Sequence, residues 1–237
     1  VWGTWQSVRV PDIRTVELRL PSLPKSLDGF SIVQLTDTHI GPLLKKEWLQ
    51  QVVDKANSSS PDLIALTGDY IDGTVAALRE EVTPFAGLRA KYGVYGVTGN
   101  HEYYWGAAEW SALMTELHVT MLHNEHRVLA VGNDRLVIAG MPDLAERQFG
   151  GEGPNIEATM EGTPDAPRIL LAHQPRDAST YSRFADMQLS GHTHGGLIFF
   201  LQPLLAMFNS GFIEGQYTVN GMNLYVSPGT GLWNGFS

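Results

Sequence analysis

Short apolar runs alternate with helical periodicity along the first half of the chain. The runs Phe30–Leu35, Leu63–Leu66 and Val94–Val97 are bounded by polar or turn residues and predict buried strands. Between and after them, apolar residues recur every three or four positions over Lys45–Asn57 and Ala107–Leu117, which predicts amphipathic helices. This alternation of strand and helix indicates βαβ units.

The second half of the chain is richer in strands. His126–Val131 and Leu136–Ala139 flank the turn sequence Gly132-Asn133-Asp134, a pattern typical of a β-hairpin. Further apolar runs predict strands at Arg168–Ala172, Met187–Leu189 and Asn223–Val226.

Three other segments are less regular. Thr15–Leu20 alternates polar and apolar residues, which predicts a half-exposed strand. The spacing over Val75–Leu88 predicts a helix, and we expect it to break near Pro84. Gly, Pro and acidic residues are frequent over Met141–Thr163, so we expect a long loop around a short helix there.

Polar clusters stand at the ends of five of the predicted strands. They are Asp37 with His39, Asp69 with Asp72, Asn100 with His101, His173 alone, and His192 with His194. Because ligands of α/β sheets bind outside the carboxyl ends of the strands, we expect these clusters to converge on one rim. The pattern predicts an α/β fold, a four-layer α/β/β/α sandwich of two mixed sheets with outer helices.

Composition narrows the class of protein. Of the 237 residues, 43% are hydrophobic and 17% are charged, which is typical of a globular chain. The net charge is −9, from 16 basic and 25 acidic residues. We therefore expect no nucleic-acid partner, because non-specific binding there depends on neutralising phosphates. The chain has no Cys, which excludes disulfides and thiolate zinc sites.

The strand-end clusters supply carboxylate, imidazole and amide groups. Mixed nitrogen and oxygen ligation suits Mn, Fe, Zn and similar divalent ions and does not select one of them. Seven side chains are too many for one ion and enough for two, if one carboxylate bridges: Asp37, His39, Asp69, Asn100, His173, His192 and His194. Two such ions activate a water for attack on phosphorus.

Five blocks, all in order, resemble the signature of the calcineurin-like metallophosphoesterase superfamily. They are Asp37-Thr38-His39, Gly68-Asp69-Tyr70-Ile71-Asp72, Gly99-Asn100-His101-Glu102, His173 and Gly191-His192-Thr193-His194. Within the superfamily the chain looks like a bacterial phosphodiesterase group whose members often carry an N-terminal membrane anchor. Leu27-Asp28-Gly29-Phe30, Gly195-Gly196 and Tyr225-Val226-Ser227-Pro228-Gly229-Thr230-Gly231 carry this closer resemblance, whereas Leu197 stands where the group usually has Gln.

The resemblance implies a role for each side chain. One metal ion would be bound by Asp37, His39 and His194, and the other by Asn100, His173 and His192, with Asp69 and a hydroxide bridging both. His101 would face the phosphoryl group, stabilise developing charge and protonate the leaving oxygen. Asp72 would accept a hydrogen bond from His101 and hold its orientation.

Three further positions are candidates for contact with substrate. Tyr103 and Tyr104 follow the His101 block directly, where aromatic side chains either wall a pocket or pack the loop onto the scaffold. Leu197 follows the last two histidines, and we expect its departure from the group's pattern to bear on substrate contacts and not on metal binding. Glu102 is a weaker candidate, since it is also placed to cap a helix after the loop.

These features predict a dinuclear metal-dependent hydrolase of phosphoric ester bonds. A phosphodiester or pyrophosphate is the expected substrate, attacked by a metal-activated hydroxide, with a lipid-linked phosphoester as a candidate and manganese among the candidate metals. A protein or small-molecule phosphomonoesterase is the alternative, although Asp72-Gly73-Thr74 lacks the Asp-Arg-Gly common in protein phosphatases. An alternative of another class is a non-catalytic metal- or lipid-binding module.

A membrane surface is a candidate partner. The stretch Leu197–Phe212 contains no charged residue and is rich in large apolar side chains. We expect a single metallophosphoesterase domain over residues 1–237, with an N-terminal strand and connector over 1–29. The resemblance implies an anchor before this chain and a closing strand after Trp233-Asn234-Gly235-Phe236, neither present in it. We expect association with a bacterial cell membrane, with a cytoplasmic location as the alternative.

Overall fold

The first of two β-sheets carries the predicted strand–helix alternation. The computed structural model describes residues 9–21, 23–196 and 206–231. Within them, the first sheet consists of β1 (Ile32–Leu35), β2 (Leu63–Leu66), β3 (Val94–Gly96) and β4 (Thr120–Met121), in that order. Each neighbouring pair is parallel. We expected two mixed sheets, but here each connection crosses back over the sheet face, so the described strands of this sheet all run the same way.

The second sheet is mixed. Its described strands are β5 (Glu125–Val131), β6 (Asp134–Gly140), β7 (Arg168–Leu171), β8 (Met187–Ser190), β9 (Gly215–Val219) and β10 (Met222–Val226). They pair in the order β5-β6-β7-β8-β10-β9. The central pairs are parallel, and the hairpins β5–β6 and β9–β10 make both edges antiparallel.

Helices cover the outer faces of the two sheets. The α-helices with described bounds are α1 (Lys46–Ser58), α2 (Val75–Leu78), α3 (Asn100–Trp105), α4 (Ala107–Glu116), α5 (Ile156–Met160) and α6 (Ala178–Tyr181). Short 3-10 helices occur at Lys25–Leu27, Thr83–Gly87, Leu144–Phe149 and His194–Gly196. The segment Val75–Leu88 thus breaks into α2 and a 3-10 helix containing Pro84, as we expected.

Three apolar layers hold this sandwich together. In β2 all four side chains are buried, with Ile64 and Leu66 packed against the helical layer that includes α1 and Leu63 and Ala65 packed between the sheets. β7 behaves in the same way, because Leu170 faces the layer of α5 and α6 while its neighbours face the first sheet. Strands buried on both faces read as continuous apolar runs, and this confirms the four-layer α/β/β/α prediction.

The prediction of a strand over Thr15–Leu20 is wrong. Its alternation is real, since Leu18 and Leu20 pack against the layer between the sheets while the intervening residues are exposed. However, its backbone makes no β-ladder with any residue that the structure describes; the Asn223 side chain donates a hydrogen bond to the Arg19 carbonyl instead. Alternating polar and apolar residues show only that one face of a segment is buried. A β-strand must also form backbone hydrogen bonds with a neighbouring strand.

Two strands of the structure, β4 and β9, were not predicted from the sequence. β9 pairs with β10 around the two-residue turn Asn220-Gly221, an Asn-Gly pair that is a strong hairpin signal. β4 is only two residues long and has no periodicity to detect. Over the described residues, none of the helices combines the length and the apolar character needed to cross a bilayer.

Candidate metal centre

The predicted ligands lie at the carboxyl ends of strands from both sheets. Asp37 and His39 follow β1, Asp69 follows β2, and Asn100 begins α3 just after β3. The remaining three, His173, His192 and His194, follow the parallel pair β7–β8 of the second sheet. All seven are therefore brought to one edge of the sandwich. Four of them are almost completely buried, with exposed fractions of 0% for Asp37, 1% for His39, 2% for Asp69 and 1% for His173.

The ligand atoms form overlapping groups of metal-binding size. The groups are Asp37–His39–His194, His39–Asp69–His101 and Asp69–His173–His192, each with its donor atoms within 4.8 Å of one another. In the first group the His194 Nε2 lies 3.3 Å from Asp37 Oδ1 and 3.1 Å from His39 Nε2. Asp69 Oδ2 lies 3.2 Å from His173 Nε2 and 3.9 Å from His39 Nε2. Asp69 thus stands between the two halves of the cluster.

The backbone at the cluster is held in an uncommon conformation. Asp37, His39, Asp69, His192 and His194 all have left-handed φ, between 44° and 72°. They are half of the ten described non-glycine residues with positive φ. Such conformations cost on the order of 1–3 kcal/mol each and concentrate at functional sites. Each strand end is therefore bent so that its side chain turns into the cluster.

Close packing explains why residue 191, beside the paired histidines, is a glycine. A Cβ at this position would overlap the Asp37 carboxylate and the Thr36 hydroxyl. This close approach lets the His192 backbone N–H donate to both Asp37 carboxylate oxygens at 3.1 Å. A side chain at residue 191 would therefore push apart the two sheets where the ligands meet.

Hydrogen bonds fix which imidazole nitrogens face the cluster. His173 Nδ1 donates to the Thr67 carbonyl at 2.7 Å, which leaves Nε2 facing Asp69. His39 and His101 both donate from Nδ1 to Asp72 Oδ1, at 3.2 and 2.5 Å. Their Nε2 atoms both lie 3.9 Å from Asp69 Oδ2. Asp72 therefore orients a predicted metal ligand as well as His101, a second role that the sequence did not indicate.

The donor set fits divalent ions. Imidazole nitrogens and carboxylate oxygens converge in each of the three groups. The Asn100 Oδ1 atom is buried and has no hydrogen-bond partner among the described residues. A buried amide oxygen without a partner is costly, and ligation of a cation would satisfy it.

Electrostatics within the cluster keep Asp69 ionised and His192 neutral. Burial acts to raise the pKa of Asp69, but His173, His39 and His101 outweigh it and hold that pKa well below its ordinary value. Burial, together with the neighbouring His173, lowers the pKa of His192 to about 4. The carboxylate of Asp69 and the neutral imidazole of His192 are the forms that bind metal ions. Burial acts to lower the pKa of His173, but the Asp69 charge outweighs it and raises that pKa, so that a metal ion would displace a proton there.

Glu102 is a buried structural carboxylate that the sequence only partly revealed. It lies in the first turn of α3, and its carboxylate accepts hydrogen bonds from the backbone N–H groups of Gly99 at 2.6 Å, Asp69 at 3.0 Å and Tyr70 at 2.7 Å. The expected helix cap is thus present, and it also ties the loop after β2 to the loop after β3. Burial raises the pKa of Glu102 to about 7, with the Asp69 charge adding to the effect.

The aromatic candidates lie next to His101. The ring centroid of Tyr104 is 5.4 Å from that of His101, and Tyr104 is 53% exposed. Tyr103 is half-buried, and its hydroxyl accepts a hydrogen bond from Thr98 at 3.2 Å. Phe149, which the sequence did not single out, contacts both tyrosines. Leu197 lies outside the described residues.

The chain belongs to the calcineurin-like phosphoesterase family, since residues 30–196 match the model of that family. It is 37% identical over 247 residues to a transmembrane protein with metallophosphoesterase domain from Bos taurus, covering 98% of this chain and 55% of that protein. It is 35% identical over 231 residues to an uncharacterized metallophosphoesterase of Campylobacter jejuni, covering 96% of this chain and 60% of that protein. The chain therefore spans little more than half the length of these relatives.

A solved structure supports the fold. A 5′-nucleotidase precursor from Thermus thermophilus superposes with a TM-score of 0.55 at 17% identity, covering 85% of this chain and 49% of that one. The family prediction is confirmed, with relatives in bacteria and in animals. The family is one of phosphoesterases that use divalent metal ions, and the clustered His and Asp side chains of this chain are candidate ligands for such ions. The individual roles of the site residues stay predictions.

Replacing Glu102 with Ala tests its structural role. Three buried N–H groups would lose their acceptor, at about 1–3 kcal/mol for each group left unsatisfied. We expect the free energy of unfolding, measured by urea titration, to fall by about 3 kcal/mol or more. The exposed Glu80→Ala should change it by less than about 0.5 kcal/mol. Equal stability of the two variants would contradict this role.

Proposed function

We propose that this protein is a phosphodiesterase whose two metal ions share the Asp69 carboxylate. The observation that carries the proposal is the position of Asp69 Oδ2, which lies within 4 Å of imidazole nitrogens from His173, His39 and His101. Asp37, His39 and His194 would hold one ion. Asn100, His173 and His192 would hold the other.

Bound divalent ions would supply an activated water and neutralise charge on the phosphoryl group. The remaining chemistry belongs to His101. Its Nδ1 is tied to Asp72, so its Nε2 faces the cluster and is free to hold a proton. In this position His101 would hydrogen-bond a phosphoryl oxygen and pass its proton to the leaving oxygen, while Asp72 stabilises the imidazolium.

The sequence Asp72-Gly73-Thr74 supports a small ester over a protein substrate. Protein phosphatases of the superfamily tend to carry an Arg where Gly73 stands. In this structure, a Cβ on Gly73 would lie 2.8 Å from Leu78 Cδ1, and the Gly73 carbonyl accepts a hydrogen bond from the Trp110 indole at 3.1 Å. The loop therefore packs closely at Gly73, and the absence of Arg at this position supports the diesterase over the protein phosphatase.

A panel of substrates tests the proposal directly. The protein would be loaded in turn with Mn, Fe and Zn, analysed for metal content, and assayed on matched phosphomonoesters, phosphodiesters and pyrophosphates. We expect about two ions per chain and the highest kcat/KM on a diester or pyrophosphate. Preference for monoesters would favour the phosphomonoesterase alternative. Metal binding without turnover of any ester would favour the non-catalytic module.

Two exposed apolar side chains support action at a membrane on an amphiphilic, lipid-linked phosphoester. Residues 197–205 of the uncharged stretch lie outside the described residues. Beyond them, Met207 is 80% exposed and Phe208 is 68% exposed, the highest values among large hydrophobic side chains in the described part of the chain. Met207 and Phe208 are helical, and the turn that follows them is anchored, since Asn209 is buried and Phe212 packs against Tyr217 with centroids 5.0 Å apart. In the proposed interaction the side chains of Met207 and Phe208 would enter a lipid interface.

Asp69→Asn should abolish activity and lower metal occupancy. The substitution preserves shape but removes the charge that would lie between two cations, which leaves them mutually repelling. Elemental analysis and turnover of a chromogenic diester are the measurements. Asp165→Asn, at an exposed position, serves as the matched control and should change neither. An Asp69→Asn protein with two ions and full turnover would sink the shared-carboxylate proposal.

His101→Ala should slow turnover by about 10²–10⁴-fold while metal content stays unchanged. His101 belongs to one of the groups of metal-binding size, so metal analysis decides between a proton donor and a ligand. The rate loss should shrink for substrates with good leaving groups, because these need no proton. His123→Ala, with a 57% exposed side chain, is the control. Loss of metal from His101→Ala would show that the role is wrong.

Met207→Ser with Phe208→Ser tests the membrane surface. We expect weaker binding to anionic liposomes and lower activity on a lipid phosphoester, with activity on a soluble diester unchanged, because less apolar area would enter the interface. The control is Val128→Ser, a 44% exposed residue on β5. If liposome binding and both activities match those of the parent protein, the membrane proposal is wrong.

A further inference from the structure

A cluster of three aromatic residues extends from His101 to the protein surface. The Tyr104 ring lies 5.4 Å from the His101 ring and 6.0 Å from the Phe149 ring, measured between centroids. The Tyr103 ring also lies 6.2 Å from that of Phe149. The tilt between the rings of Tyr104 and Phe149 is 49°, so the two rings diverge instead of stacking face to face. His101 stands at the inner end of this row.

The outer rings of the cluster are unusually exposed. Phe149 is 56% exposed and Tyr104 is 53% exposed, although both belong to helical segments. Scattered apolar residues on a surface are common, but adjacent exposed rings beside a buried polar site mark a binding surface. If these rings served only to pack α3 against the neighbouring 3-10 helix, they would be buried between the two. Their exposure therefore indicates another role.

A buried hydrogen-bonded residue, Asp143, fixes the position of the short helix that ends at Phe149. Phe149 ends the 3-10 helix Leu144–Phe149, whose N-cap residue Asp143 is 2% exposed and accepts a hydrogen bond from the Ala145 N–H at 2.8 Å. The Gln174 side-chain amide donates to both Asp143 oxygens, at 2.9 and 3.0 Å. Gln174 directly follows His173, a predicted metal ligand. The backbone that presents Phe149 is therefore tied to the residue that follows His173.

We propose that Tyr104 and Phe149 form a specificity subsite for a planar aromatic ring in the leaving group of the substrate. The inference rests on the proposed function, because it takes His101 as the donor to the leaving oxygen. A leaving group bound at His101 would extend outwards over Tyr104 and reach Phe149. An aromatic ring would gain offset or edge-to-face contacts there that a saturated ring of the same size cannot make.

Direct binding of three phosphonates, which the enzyme cannot hydrolyse at their P–C bond, tests this subsite. The Kd values of phenylphosphonate, cyclohexylphosphonate and methylphosphonate would be measured by calorimetry on the metal-loaded protein. Phenyl and cyclohexyl groups are close in apolar area but differ in aromatic character. We expect the phenyl compound to bind about fivefold more tightly than the cyclohexyl compound. Methylphosphonate has no ring, so its Kd measures binding at the phosphoryl site alone.

Four variants locate the effect. Phe149→Leu and Tyr104→Leu should bring the phenyl-to-cyclohexyl ratio close to one and leave the Kd of methylphosphonate unchanged. Tyr104→Phe keeps the ring, and Val128→Ala alters an exposed apolar residue on β5, so both should retain the ratio.

The possible failures are distinguishable. A ratio of one in the parent protein would overturn the aromatic subsite, and tight binding of both cyclic compounds would indicate an apolar groove instead. A ratio that persists in both Leu variants would place the selectivity elsewhere. Absence of binding by all three compounds would overturn the proposed phosphoester site, and the subsite with it.

Discussion

The site depends on the interactions that stabilise the buried carboxylate of Asp69. This carboxylate is buried at 2% exposure, where an isolated charge would be costly. The His101 backbone N–H donates to it at 2.9 Å, and imidazoles from three separate segments surround it. Because those segments come from both sheets, the charge can be stabilised only when the whole sandwich has closed. Ligands of the two expected ions would otherwise remain far apart.

Closing the site bends the backbone at most of its ligands. Five predicted ligands have left-handed φ, and the surrounding structure must offset that cost. Buried hydrogen bonds from the loops to one another supply part of this support. The Glu102 carboxylate joins the loops after β2 and β3, and the Asp37 carboxylate accepts from the N–H of His192 across the two sheets. The metal ligands and the scaffold are therefore parts of one hydrogen-bonded unit.

Much of the fold was predictable because its central strands are buried on both faces. β2 was predicted with its correct bounds, and the helix predicted over Lys45–Asn57 differs from α1 by one residue at each end. Edge elements were harder. Thr15–Leu20 has the alternation of a strand but no partner strand among the described residues, and β4 is too short to show a period. Whether a half-buried segment pairs with another strand depends on which segments lie beside it in the fold. The local sequence carries no information about those segments.

The sequence by itself determined the family and the order of the strand ends and predicted the donor set, because residue type and spacing carry the chemistry of a metal site. It could not show that Asp72 orients both His39 and His101, or that Glu102 receives three backbone hydrogen bonds. Nor could it show that Phe149 contacts Tyr104, which lies 45 positions earlier in the chain. These contacts were decided only by the tertiary structure, because they join residues on separate loops whose distances are set when the two sheets pack.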